Sequence, residues 1–154
     1  MKIERFEDIK AWQEARVLVR MIYAAVGSDR RFGSDYRFRE QIQGAAVSIM
    51  SNIAEGFSRR TTKEFVQFLF IAKGSVAEVQ SQLYTALDQG YINEEKFDEL
   101  YSKSEEVARL SSGFIQYLLN KDKHAISSRN PSNSSNPSNS RNSRNWGGVG
   151  VKEG

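Results

Sequence analysis

Apolar side chains recur at alternating intervals of three and four along the first 120 residues, the period of one helical face, in four separate stretches. The first carries Ile9, Trp12, Val19, Tyr23 and Val26, with Arg16 on the same line, and predicts a helix over 7–26 that Gly27 ends. A polar connection, 28–35, follows. The second stretch, 36–54, has the stripe Phe38, Ile42, Ala45, Ala46, Ile49 and Ile53, with Gly56 suited to the C-terminal cap. The third opens on Thr61 and Glu64, the spacing of a capping box, and runs through Phe65, Phe68, Leu69, Ala72, Val76, Val79, Leu83 and Leu87 until Gly90 stops it. At 1.5 Å per residue such a helix is about 40 Å long. Asn93 caps the fourth, whose stripe is Phe97, Leu100, Tyr101, Ser104, Val107, Ser111, Phe114 and Leu118; Glu94 and Glu95 in its first turn suit the helix dipole.

No period-two alternation marks a strand. Four amphipathic helices joined by short connections predict an all-α fold, an antiparallel up-down-up-down four-helix bundle. The third helix is too apolar for one seam, since Val66 and Phe70 lie off its stripe. Two explanations stand: a second buried face against another subunit, or packing against two neighbouring helices of the same chain.

The pattern stops near residue 121. Beyond it, 130–135 and 136–141 form an imperfect Asn-Pro-Ser-Asn-Ser repeat with nothing to bury. The expected organisation is a helical domain over 1–121 and a disordered low-complexity tail over 122–154. The tail is read as a passive extension; contact with nucleic acid through its arginines and Trp146 is the alternative.

Composition narrows the chemistry. The 154 residues include no cysteine and one histidine, His124, which excludes Cys/His zinc sites, thiol nucleophiles and histidine-based triads. Neither a secretory leader nor a run of about eighteen apolar residues is present, so a cytoplasmic protein with no membrane partner is expected. Of the net charge of +3, all resides in 122–154, where five basic groups face two acidic ones. Within the neutral body, 16–73 holds ten Lys/Arg and five Asp/Glu, whereas 78–106 holds two and eight. This separation along the chain predicts one basic and one acidic end.

Two polar lines run beside the apolar stripes. Ser48, Asn52 and Glu55 fall at i, i+4 and i+7 of the second helix, and Ser75, Glu78 and Gln82 at i, i+3 and i+7 of the third. Facing each other, they would form a structural polar seam of Ser48, Asn52, Glu55, Ser75 and Glu78. Two carboxylates in a bundle also suggest a di-iron centre, but such centres need Glu-x-x-His pairs and no histidine follows these glutamates. Gly56-Phe57-Ser58 starts like a nucleophile elbow yet lacks the closing glycine and a histidine base, and no phosphate-loop glycine pattern occurs. The expectation is therefore no enzyme, no cofactor and no metal.

Basic residues supply the candidate binding sites. Arg59, Arg60 and Lys63 share the turn between the second and third helices with the free amides of a helix start, an arrangement that suits phosphate. Arg30, Arg31, Arg37 and Arg39 alternate with Phe32, Tyr36 and Phe38 at the far end of the second helix, about 30 Å away. Neutralising Glu55, Glu64 or a neighbouring subunit is the competing role for Arg59 and Arg60.

Several blocks also carry a family resemblance: 6–13 (Phe-Glu-Asp-Ile-Lys-Ala-Trp-Gln), Gln41 with 45–49, 52–56 (Asn-Ile-Ala-Glu-Gly), Arg60, Glu64-Phe65, Phe68-Leu69, and 71–75 with Glu78. Together, over about 6–119, the chain resembles the four-helix-bundle proteins encoded in intervening sequences of bacterial 23S ribosomal RNA genes. The resemblance implies a homopentameric ring, association with RNA and no established enzymatic activity. A relative of this fold serves reverse transcriptases of diversity-generating retroelements as an accessory subunit, which implies a protein adaptor as the second functional reading. The tail lies outside the resemblance.

Overall fold

The computed structural model describes residues 2–129. Among these the chain is all-α without a strand: a 3-10 turn, Phe6–Asp8, precedes α1 (Lys10–Ser28), α2 (Arg30–Ser34), α3 (Tyr36–Phe57), α4 (Thr62–Asp88) and α5 (Glu94–Arg129). The expectations for 130–154 lie outside the described residues.

Side chains at the helix starts explain where the elements begin. Thr61 and Asn93 cap as their spacing predicts, accepting the Glu64 amide at 3.2 Å and the Lys96 amide at 2.8 Å; the return half of the capping box differs, since the Glu64 carboxylate accepts from the Thr61 hydroxyl at 2.9 Å and not from its backbone amide. Asp29 and Asp35 cap in the same way, through the amides of Phe32 at 2.9 Å and Phe38 at 3.2 Å. These two caps turn part of the expected connection 28–35 into α2, a five-residue helix too short to show periodicity.

The glycines divide. Gly90 has φ +70° and ends α4 in a Schellman motif, with the Tyr91 amide donating to the Ala86 carbonyl and the Gly90 amide to that of Leu87, both at 2.9 Å. Gly27 does not stop α1, which continues to Ser28. Gly56 is no cap either: it is buried inside α3, and a Cβ there would stand 2.7 Å from Phe65 Cδ2 and 2.8 Å from Phe68 Cβ. It is glycine because α4 crosses at that point.

α3 lies along α4, and α1 and α5 each complete the core from the other side, α1 against α3 and α5, α5 against α1 and α4. The pairs Ser48–Ser75 and Phe57–Phe65 join α3 to α4, Gln80–Ser104 and Phe65–Phe114 join α4 to α5, and Glu14–Lys103 joins α1 to α5. The α3–α4 turn, the start of α1 and the C-terminal part of α5 therefore share one end. The end of α1, α2, the start of α3 and the α4–α5 turn share the other, where Phe32 stacks on Tyr91 at 5.1 Å. Ile42, Ile49 and Ile53 of α3 meet Leu69, Val76, Val79 and Leu83 of α4 and Leu100, Val107 and Ile115 of α5 in the core.

The stripes of α3 and α5 face this core as expected, but that of α1 is turned along its middle. Ile9 and Val26 at its two ends are buried as expected; between them Ala11, Ala15, Leu18, Ile22 and Ala25 are buried, while Trp12 and Val19 flank the core and Tyr23 and Arg16 are exposed. Small alanines let α1 approach closely, and the bulkier, more conspicuous side chains sit at the rim. Val66 packs within the chain, whereas Phe70 is 55% exposed. One of the two off-stripe residues on α4 is thus explained by packing inside the chain.

The expected boundary at 121 falls inside α5, which continues unbroken to Arg129 although every residue from 119 to 129 is exposed. The apolar stripe ends with Leu118, but helix continuation needs only good formers and no breaker, and 114–130 contains neither glycine nor proline. Among the described residues, no helix is long and apolar enough to cross a membrane.

Candidate nucleic-acid interface

The polar seam is narrower than its sequence pattern. Ser48 Oγ and Ser75 Oγ lie 3.0 Å apart between α3 and α4, and Asn52 Nδ2 donates to the Ser48 carbonyl at 2.8 Å and to its hydroxyl at 3.0 Å. These groups satisfy one another in a part-buried position. Glu55 and Glu78 do not join them. Glu55 is exposed and accepts from Arg59 at 2.8 Å on its own helix; Glu78, also exposed, accepts from Gln82 at 3.4 Å. A carboxylate without a charged donor is costly to bury, and the seam offers only hydroxyls and an amide, so both glutamates turn to solvent.

An interhelical ion network lies elsewhere, on the opposite side of the molecule. Lys103 of α5 donates to Glu14 of α1 and to Glu106, each at 2.8 Å, and Lys10 approaches Glu14 at 2.9 Å. Lys103 and Lys10 hold the Glu14 carboxyl below its usual range, and Glu106 and Glu14 push the Lys103 ammonium up. Glu14 and Lys103 are separated by 89 positions, and no local spacing announces such a pair.

At the α2 end, half of the basic cluster has structural work. Arg31 donates to the Gly90 carbonyl at 2.7 Å and lies 5.7 Å from the Tyr91 ring centre. Arg39 donates to the Gly33 carbonyl at 2.9 Å and covers Tyr36 at 4.7 Å. Two of the interleaved aromatics are not free: Phe32 is 1% exposed and clusters with Phe38 and with Tyr91, whose hydroxyl donates to Asp35 at 2.8 Å, whereas Tyr36 is 65% exposed under Arg39. That bond raises the Tyr91 pKa. Arg30 and Arg37 are exposed.

At the α3–α4 turn, Arg59 is engaged, paired with Glu55 and 4.6 Å over the Phe68 ring. Arg60 and Lys63 are exposed and enter no ion pair among the described residues. The contacts leave one net basic and one net acidic end but change which residues form each. The acidic start of α5 folds back beside the arginines of α2, so residues 29–39 and 88–99 together carry five cations against seven carboxylates. The α3–α4 turn, 55–64, and the adjoining part of α5, 117–129, carry six against three. Positive potential belongs to the turn end.

That end is also hollow. A cleft of about 540 Å³ is lined by Phe57, Phe65, Phe114 and Leu118 with Lys2 and Lys121 at its margin. A second, of about 440 Å³, lies on the other side of Phe114 and Tyr117, against Ile9, Ala11 and Leu110. Sequence reading missed both, because the walls of the first come from α3, α4 and α5 and those of the second from the start of α1 and α5.

These features define a small all-α protein with a cationic, aromatic-lined end. The model of the 23S rRNA-intervening sequence protein family matches residues 7–113, and the chain belongs to that family. Among solved structures, it is similar to a protein of unknown function from the S23 ribosomal protein family of Bacteroides thetaiotaomicron, with a TM-score of 0.62 and 20% identity over 68% of this chain and 97% of that one. At that identity the likeness concerns the fold alone. No curated protein matches the chain.

Proposed function

We propose that this protein is a non-enzymatic, homo-oligomeric RNA-binding protein of the cytoplasm, built as an antiparallel up-down-up-down four-helix bundle that holds phosphates at the α3–α4 turn. The observation carrying the reading is that Arg60 and Lys63 stand exposed, without ion-pair partners among the described residues, on the end where cations outnumber carboxylates. The name of the family points to the same class of partner. Filter binding across a salt series tests it: replacing Arg60 and Lys63 by alanine flattens the salt slope by about 1.4, roughly 0.7 per phosphate contact on a single strand. Absence of RNA binding by the wild type at low salt defeats the reading.

Oligomerisation draws support from a face of α3 and α4. Phe70 and Ile71 are 55% and 52% exposed, Val47 is exposed beside them, and Gly44 and Gly74 have open space where a Cβ would stand. Small residues among exposed apolar ones suit close approach by another copy. The resemblance supplies five as the number of copies, and light scattering measures it. The same face favours a second reading, a protein adaptor such as a reverse-transcriptase accessory subunit, in which a polypeptide covers it. Association with a genomically neighbouring reverse transcriptase that survives nuclease treatment and is lost on Phe70→Asp substitution supports that alternative.

A further inference from the structure

We infer that the aromatic clefts beside Tyr117 receive unpaired nucleobases of single-stranded RNA, a step that rests on the RNA-binding reading and specifies which part of the RNA is read. The Tyr117 ring is 46% exposed and lies parallel to Phe114, with centroids 6.0 Å apart and planes at 18°. Phe114 meets Phe65 edge-on at 5.4 Å, and Phe65 meets Phe57 at 6.2 Å. Tyr117 is thus the outer member of an aromatic chain anchored through α5, α4 and the end of α3. A ring already held in place loses little freedom when a base stacks on it. The hollows on its two sides, about 540 and 440 Å³, fall within the range of small-ligand clefts.

Charge selects the occupant. The two clefts are lined by four cations, Lys2, Lys10, Arg109 and Lys121, and a single carboxylate, Glu106. Lys2 and Lys10 approach Glu4 and Glu14, whereas Arg109 and Lys121 have no ion-pair partner among the described residues. They bracket Tyr117 on α5 at twelve positions apart, about 18 Å by helix rise. An apolar helix or acyl chain makes no use of these cations, and an acidic peptide makes no use of ring faces. Alternating cations and aromatic faces answer the two chemistries of a single strand, phosphate and base. In an A-form duplex the bases are stacked inside, out of reach of Tyr117.

The test uses the full chain with three probes of equal phosphate count: a short oligouridine, an abasic ribose-phosphate oligomer and an RNA duplex. Wild type is expected to prefer oligouridine over the abasic oligomer by at least about fivefold, the lower bound of one stacked base. Tyr117→Ala abolishes that preference with the salt slope unchanged, and Tyr117→Phe restores it. Arg60→Ala with Lys63→Ala lowers the slope for both single strands and keeps the preference. Melting curves and mass of Tyr117→Ala check that its fold and assembly are those of the wild type. Equal wild-type affinity for oligouridine and the abasic oligomer overturns the base cleft while leaving RNA binding intact, as does a preference that survives Tyr117→Ala. A shift in oligomeric mass with Tyr117→Ala assigns the cleft to a second copy and overturns it too. Failure of the wild type to bind any probe removes the RNA reading itself.

Discussion

The two basic clusters look alike in sequence and differ in the folded molecule. Around α2, Arg31 and Arg39 reach back to the carbonyls of Gly90 and Gly33, and seven carboxylates surround five cations. At the α3–α4 turn only Arg59 is engaged, by Glu55, and Arg60 and Lys63 are left to solvent. The difference arises from what each turn lies beside. The α4–α5 connection begins in a Schellman turn whose Gly90 carbonyl accepts from Arg31, and the acidic start of α5 follows it. The opposite turn adjoins the last part of α5, which is cationic. A run of arginines therefore acquires its role from neighbours remote in sequence.

The comparison breaks most visibly at Phe32. Its replacement by alanine removes the buried ring packed on both Phe38 and Tyr91 and is expected to cost about 3–5 kcal/mol in urea unfolding, with RNA affinity of the folded fraction unchanged. Gly56→Ala strains the other end. With Phe65 Cδ2 at 2.7 Å and Phe68 Cβ at 2.8 Å from the new methyl, a loss of about 1–3 kcal/mol is expected. Unchanged stability of that variant would show that α3 and α4 can separate at the turn. Arg31→Ala and Arg60→Ala sharpen the contrast directly: the first is expected to destabilise by about 1 kcal/mol through the lost bond to Gly90, and the second by less than about 0.5 kcal/mol while lowering the salt slope for RNA.

An effect that depends on pH belongs to the α1–α5 ion network, which serves neither cluster. Because Glu14 titrates lower in the folded chain than its ordinary 4.5, its contribution is fully present above about pH 4.5 and is lost as pH falls through the folded value. Lys103 titrates above its ordinary 10.5, so its share is present below that pH and lost as pH rises through the raised value. Glu14→Gln is expected to lower stability near neutrality by under about 1 kcal/mol, and the gap to wild type closes in acid. A gap independent of pH would assign the effect to packing of the side chain instead.

Helices were legible where a stripe is long and bounded by caps. α3 shows Ile42, Ala46, Ile49 and Ile53 inside as spaced, and α4 begins where Thr61 and Glu64 place it. α1 was legible as a helix but not in its rotation, because Trp12 and Tyr23 outweigh Ala11 and Ala15 in any count of apolar bulk, whereas close packing favours the alanines. The seam was half legible. Ser48, Asn52 and Ser75 meet, but the helical lines that gather them also run on to Glu55 and Glu78, and only the solvent boundary separates the two groups. Among the binding candidates, Arg60 and Lys63 were visible as charges; the clefts at the same end of the molecule were not.

By itself the sequence determined that four long helices form, roughly where they begin, and that no cysteine is present for a thiol or Cys/His zinc site, since period, capping and composition are local properties. Tertiary structure alone decided which face of α1 turns inward, why residue 56 is a glycine, which arginines are held by carbonyls and which meet water, and where aromatic side chains from three helices leave a hollow. Each of those depends on the distance between groups far apart along the chain, and that distance exists only once the helices have packed.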